Sequence, residues 1–172
     1  MTADFQIRRA RPDDVDLIAV LGARTFTETF GHLYTPENLN AFLEADHSPA
    51  ATAALLADAR YAVWVAEEAG EGVGYAVAGP CGLPVEDMEE DAGELKRLYF
   101  LNTHHGGGRG TKLLAIALDW LAEAGFAPVY LSVFSENPGA QRLYARHGFE
   151  KVGEYDFMVG DHPDREFIFR RS

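Results

Sequence analysis

Apolar and polar residues alternate from Phe5 to Arg9, which predicts a short edge strand. Pro12-Asp13-Asp14 then opens a helix, with acids in the first turn where the helix dipole favours them. Val15, Ile18, Leu21, Phe26 and Phe30 carry an apolar stripe along it, with a bend predicted near Gly22. Thr35-Pro36 starts a second helix bearing Leu39, Phe42 and Leu43, and Ser48-Pro49 starts a short alanine-rich third that ends at Asp58. In both pairs a capping hydroxyl precedes a proline at the first helical position.

From Tyr61 the apolar period shortens to two. Tyr61 to Glu67 and Val73 to Gly79 alternate around Glu68-Ala69-Gly70-Glu71-Gly72, the pattern of a hairpin. Pro80 to Gly93 is acidic and rich in turn formers, so it reads as a loop, and Glu94 to Leu101 reads as the next strand. A glycine turn, Gly106 to Gly110, leads into an amphipathic helix carrying Leu113, Leu114, Ala117, Leu118 and Leu121 and ending at Gly125. Val129 to Phe134 is a buried strand, Pro138 to His147 a helix stopped by Gly148, and Phe149 to Phe157 and Glu166 to Arg170 are the last strands. Helices and strands interleave, so the class is α/β (α+β) with a mixed sheet. With no repeat, low-complexity tract or linker, residues 1–172 read as a single domain, with a helical region over 10–59 and a sheet-rich core over 60–172.

Composition narrows the chemistry. Fifteen basic and 27 acidic side chains give a net charge of −12, which disfavours nucleic acid and suits a cationic small molecule. Cys81 is the sole cysteine, so an intramolecular disulfide and a cysteine-rich zinc site are excluded, and its role reads as incidental. His32, His47 and His162 lack partners at ligand spacing, and the adjacent His104 and His105 cannot both face one metal from a regular strand, so no metal is expected. The stretch Met1 to Arg9 lacks the apolar core of a signal peptide, and no apolar run is long enough to span a bilayer. A cytoplasmic protein with neither membrane nor nucleic-acid partner is the expectation.

The chemical signal is concentrated between Leu98 and Lys112, a strand followed by a glycine turn and a helix. Glycines let a ligand lie against the backbone, and unpaired N–H groups at a helix start bind phosphate oxygens. From Leu95 to Leu118 there are four cations (Lys96, Arg97, Arg109 and Lys112) and no acid. The order Gly110-Thr111-Lys112 does not make a Walker loop, and no G-x-G-x-x-G can be placed over these glycines. What fits is [Gln/Arg]-x-x-Gly-x-[Gly/Ala], satisfied at Gly108 and Gly110, with His105 standing where the pattern has Gln or Arg.

This segment resembles the GNAT superfamily of N-acetyltransferases. The resemblance runs from about Val63 to the end and implies a mixed, largely antiparallel twisted sheet of about seven strands flanked by helices. It implies that His105, Gly106, Gly107, Gly108, Arg109, Gly110 and Thr111 hold the pyrophosphate of acetyl-CoA, with residues 60–172 as the coenzyme-binding core. It further implies that the strand containing Leu98, Tyr99 and Phe100 splays from its neighbour and pairs with the pantetheine arm. His105 can still donate to phosphate, but its charge depends on pH. A second motif, Asn137-Pro138-Gly139-Ala140 through Tyr144 to Gly148-Phe149, is similar to the GNAT signature N-x-x-A-x-x-x-Y-x-x-x-G-F. By that resemblance Asn137 contacts the coenzyme and Tyr144 protonates the departing thiolate, a role suited to a phenol.

Acetyl transfer to an amine also needs a base, because the amine is mostly protonated at neutral pH. Some members of the superfamily place a glutamate five residues before the asparagine; here that position is Ser132. Glu94, on the coenzyme strand, is the candidate base, with His104, Tyr34 and ordered water as competitors. The stretch Thr25 to Ser48 resembles the polyamine N-acetyltransferase (PaiA-like) branch, which implies an acceptor-side wall in 10–59 with Phe30 and Tyr34 lining the substrate pocket. Glu28, Glu37, Glu86, Asp87, Glu89 and Glu90 are the acids expected to attract a polycation. The expected activity is acetyl-CoA-dependent N-acetylation of a primary amine such as a polyamine. Peptide N-terminal acetylation and non-catalytic acyl-CoA binding are the alternatives. A homodimer is a further expectation, with strands Phe149–Phe157 and Glu166–Arg170 as its contacts.

Overall fold

In the computed structural model, which describes residues 4–172, seven strands form one sheet in the order β1-β2-β3-β4-β5-β7-β6. They are β1 Phe5–Arg9, β2 Ala62–Glu68, β3 Glu71–Pro80, β4 Gly93–Phe100, β5 Val129–Phe134, β6 Glu150–Val159 and β7 His162–Arg171. Met1–Ala3, the start of the stretch read for a signal sequence, lie outside the described residues. Neighbours are antiparallel except β4 and β5, whose parallel pairing requires a crossover. The amphipathic helix Arg109–Glu123 supplies it.

The remaining helices are α1 Val15–Phe30, α2 Pro36–Asp46, α3 Pro49–Ala57 and α5 Pro138–Arg146, with the crossover helix as α4. Thr35 and Ser48 cap α2 and α3, their hydroxyls accepting from the amides of Asn38 (3.2 Å) and Ala51 (3.1 Å). Pro12–Asp14 form a tight 3₁₀ turn ahead of α1. The bend anticipated at Gly22 is absent, since α1 runs unbroken to Phe30. Gly22 serves packing instead: a Cβ there would come within 2.5 Å of His47 Nδ1.

The connection between β2 and β3 contracts to Ala69-Gly70, both at positive φ, the geometry whose twist matches a two-residue hairpin. The final strand is longer than its alternation suggested, beginning at His162 after a Gly160-Asp161 turn. It is paired on both sides, so of the two strands expected to form dimer contacts only β6 presents an edge.

The sheet buries both faces. Leu113, Leu114, Ala117 and Leu121 of α4 pack with Trp64, Ala76, Leu95 and Leu131 on one side. Ile18 and Leu21 of α1 pack with Val65, Tyr75 and Val77 on the other. Leu113, Leu114 and Leu121 are fully buried, so truncating any one to alanine costs about 3 kcal/mol.

Two irregularities of β4 shape everything that follows. Arg97 opposes Val77 while Leu95 opposes Ala78, so Lys96 is an extra residue, a β-bulge. The bulge lets Leu95 and Leu98 both face the α4 core while Glu94, Lys96, Arg97 and Tyr99 gather around a cavity on the other face. Second, β4 pairs with β5 only through Gly93, Glu94 and Leu95. Beyond that point the two strands part, as the splay expected for this strand requires.

Candidate active site

The parting of β4 from β5 opens a slot of about 150 Å³. Leu98, Tyr99, Phe100, His105, Asn137 and Tyr144, six of the residues anticipated from sequence, line it together. The glycines continue beyond its His105 end. Gly106, Gly107 and Gly108 lie at φ of +83, +70 and +78°, three successive left-handed residues that only glycine accepts cheaply. Helix α4 therefore begins at Arg109, one residue before the end of the anticipated turn, and no side chain caps it. Its first amides are free to meet an anion. A Cβ built at Gly106, Gly108 or Gly110 meets nothing within 4 Å, so the face over these amides is open.

The cationic patch read along this segment is altered by residues from elsewhere. Glu68, at the end of β2, accepts from Arg109 Nη2 at 2.9 Å and sits 3.0 Å from His104 Nε2. Arg109 holds the Glu68 carboxyl below its usual range. Lys96 is paired with Glu94 at 3.1 Å on the far side of the strand. Lys112 lies over the Phe5 ring, its Nζ 5.7 Å from the centroid. Hence the stretch that is free of acids in sequence is not free of them in space.

His105 is also committed. Its Nε2 lies 2.9 Å from the carbonyl oxygen of Phe100, an acceptor, so Nε2 carries the proton. The expected donation from His105 to a phosphate would therefore have to come from Nδ1, which carries a proton only when the ring is charged. Asn137 caps α5, its Oδ1 accepting from Ala140 N at 3.2 Å, which leaves Nδ2 as a donor beside the slot. Tyr144 is buried, its hydroxyl makes no hydrogen bond to the protein, and that burial pushes the hydroxyl above the ordinary phenol range.

Across β4 lies the larger cavity, about 370 Å³. Phe26, Phe30, Tyr34, Phe42, Tyr99 and Phe157 give it an aromatic wall, with Phe26 stacked on Phe42 at 4.4 Å and on Tyr34 at 5.8 Å. Phe30 and Tyr34, expected from sequence to line a substrate pocket, both line this cavity. Glu94 faces the same cavity, but its Oε1 already takes the Gly82 amide at 2.9 Å and Lys96 at 3.1 Å. Among its competitors, His104 turns away to Glu68, and Tyr34 donates its hydroxyl to Asp164. Burial, reinforced by Asp164, raises the Tyr34 phenol well above its ordinary value. His47 in the cavity wall is held down to about 4 by burial and by Arg97.

The acids differ from those anticipated. None of Glu28, Glu37, Glu86, Asp87, Glu89 and Glu90 lines the cavity. Glu28 accepts the Asn102 amide at 2.9 Å, and Glu89 accepts the Tyr130 hydroxyl at 2.7 Å and Arg170 at 3.1 Å. The acids that do line it are Asp46, Glu94, Asp164 and Glu166, set against two cations, Lys96 and Arg97. Asp164 is 3.0 Å from His162 Nδ1 as well as bonded to Tyr34. Glu166 is raised to about 7, first by burial and then by Asp164. Its Oε2 is buried without a hydrogen-bond partner. Sequence reasoning missed this pair, although acids two apart in a strand share one face and so were open to notice. Among the described residues no cluster of three or more His, Cys, Asp or Glu is arranged to hold a metal ion, and no helix is long and apolar enough to cross a membrane.

Comparison with known proteins agrees with this geometry. The family described as Acetyltransferase (GNAT) matches residues 23–149. An uncharacterised N-acetyltransferase of Mycobacterium tuberculosis (strain H37Rv) is 35% identical over 163 residues, covering 92% of this chain and 97% of its own. A spermine/spermidine N(1)-acetyltransferase of Bacillus subtilis is 37% identical over 89 residues, 51% of this chain and 59% of its own. The crystal structure of a PaiA N-acetyltransferase from Thermoplasma acidophilum in complex with coenzyme A superposes with a TM-score of 0.76 over 98% of both chains at 17% identity.

Proposed function

The chain belongs to the GNAT acetyltransferase family and is an acetyl-CoA-dependent N-acetyltransferase, and from that premise we propose that it acetylates a primary amine of a small polycation of the polyamine type. The observation that carries the acceptor class is the cavity across β4. It combines an aromatic wall with four acidic side chains against two cations, Lys96 and Arg97, and it shares lining residues with the slot. Aromatic faces attract ammonium groups and carboxylates attract them more strongly, so the cavity selects cationic amines twice over. The resemblance of about half the chain to a spermine/spermidine acetyltransferase supports the same class.

Each element of the slot then has a task. The open glycine cradle and the uncapped start of α4 suit a pyrophosphate, with Asn137 Nδ2 beside them. The unpaired edge of β4 from Leu98 to Phe100 suits the amides of a pantetheine arm. Acetyl-CoA supplies a thioester carbonyl that an amine attacks directly. Tyr144, buried and uncommitted in the slot, donates its hydroxyl proton toward the sulfur as it leaves. Glu94 and Lys96 face the acceptor side as a fixed ion pair.

Free-thiol release from acetyl-CoA tests this against spermidine, spermine, a monoamine, an aminoglycoside and short peptides. Selective turnover with the polyamines is expected. A preference for a peptide N-terminus would overturn the acceptor assignment, and release with no acceptor at all would overturn catalysis of amine transfer.

A further inference from the structure

We propose that Glu166 is the general base of the transfer, taking the proton from the acceptor's ammonium where the cavity meets the slot. The inference rests on the acetyl-transfer reading above. The two reacting groups arrive from opposite sides of β4, so the base must stand where the spaces join. Tyr144 lines only the slot and Glu94 only the cavity. Glu166 lines both, and it is the one carboxylate that does so.

Its remaining properties suit the role. Ser132 occupies the β5 position where a glutamate was looked for, and Glu166 projects from the adjacent β7 on the same face, so the neighbouring strand supplies the missing acid. Groups facing it are Asp164 on its own strand, Ser132 on β5, Tyr155 on β6, Lys96, Arg97 and Tyr99 on β4, and Tyr34 after α1. None of the cations is bonded to it, whereas Glu94 is held by Lys96 and Asp164 by Tyr34 and His162. An oxygen that is buried and without a partner is the one able to accept a proton. A carboxyl held near 7 by burial is basic enough to keep that proton and acidic enough to release it.

The step balances. One ammonium proton passes to a Glu166 oxygen and then to solvent. The freed nitrogen lone pair forms the N–C bond while the C–S bond breaks. The departing sulfur takes a proton from Tyr144, which regains one from the nitrogen as the amide forms.

The test is the pH dependence of kcat with spermidine, or with the fastest amine of the panel above, for the wild type, Glu166→Gln and Glu166→Asp. The wild type should level off above neutrality. Glu166→Gln should lose about 100-fold at pH 7 and show no plateau, its deficit shrinking as pH rises and free amine becomes abundant. Glu166→Asp should be slower yet keep the plateau. Both variants should retain the wild-type shift in melting temperature with acetyl-CoA, which shows an intact slot. A loss by one constant factor at every pH, or no loss, overturns the base role while leaving the acetyl-transfer reading intact. If the wild type acetylates no amine, both fall together.

Discussion

Arg109 Nη2 lies 2.9 Å from a Glu68 carboxylate oxygen, so the cation nearest the phosphate cradle is already paired across the sheet. Glu68 also holds His104, and thereby places a negative charge beside the proposed phosphate site. Replacing it with a neutral isostere removes that repulsion and frees both partners. Glu68→Gln is expected to lower the Kd for acetyl-CoA about threefold at low ionic strength, with the gain fading as salt screens it. Calorimetric titration at two salt concentrations measures this. Weaker binding in the variant would mean that Glu68 aims Arg109 at the phosphate instead.

The Tyr144 hydroxyl makes no hydrogen bond to the protein, so it has no structural partner to lose. Tyr144→Phe is expected to change stability by less than about 1 kcal/mol and to reduce kcat at least tenfold, about 1.4 kcal/mol of transition-state stabilisation. Because burial raises the phenol further, the wild-type rate should show no descending limb from this group between pH 7 and pH 10, a range set by the roughly pH 10 ionisation of a free phenol. Stopped-flow thiol release across that range decides the point.

That the glycine turn, Asn137 and Tyr144 gather at one slot was legible because the determinants are local. A strand, three glycines and a helix start are contiguous, and Asn137 and Tyr144 sit on one short helix, so spacing alone conveys their geometry. The acceptor side was not, because it is assembled from distant segments. Phe30 comes from α1, Tyr34 from the turn after it, Lys96 from a bulge and Glu166 from the last strand. A bulge inverts the strand alternation, and no spacing rule announces it. The same limit explains Glu68, which lies 41 residues before Arg109 yet touches it. The bend expected at Gly22 failed for a related reason: what packs against it is His47, the residue that ends α2.

Asp164 bears mainly on acceptor binding and only secondarily, through its charge on Glu166, on chemistry. It is buried at the cavity, bonded to Tyr34 and 3.0 Å from His162, and it does not line the slot. Its charge therefore bears on a cationic acceptor at a distance from the thioester. Asp164→Asn should raise KM for spermidine roughly tenfold and leave kcat within about threefold, while a monoamine with no second charge loses much less. Steady-state kinetics on both amines tests this. An equal loss on both would assign Asp164 to holding Tyr34 in place instead of reading charge.

Two carboxyls push stability in opposite directions with pH. Asp14 is held to about 2, from 3.8, chiefly by its bonds to Arg8 at 2.8 and 2.9 Å, which tie β1 to the start of α1. A lowered folded value stabilises at higher pH, so this contribution, on the order of 2 kcal/mol, is full above about pH 4 and disappears as pH falls toward 2. Glu166 is raised from 4.5 to about 7, so the folded protein binds its proton more tightly than the unfolded chain does. Stability is then greatest below about pH 4.5 and falls as pH rises to about 7, by on the order of 3 kcal/mol, after which it levels off. His47, held to about 4 from 6.5, works in the opposite direction over an overlapping window. Urea denaturation should therefore find little net change in the wild type between pH 5 and pH 7.5, whereas Glu166→Gln, which cannot ionise, should gain on the order of 2 kcal/mol relative to the wild type over that range. Asp14→Asn should leave the neutral-side profile unchanged and remove the acid-side loss between pH 4 and pH 2, the window set by the Asp14 carboxyl. Parallel stability profiles for the wild type and Glu166→Gln between pH 5 and pH 7.5 would show that the carboxyl is ionised throughout, and would remove the electrostatic basis for its role as base.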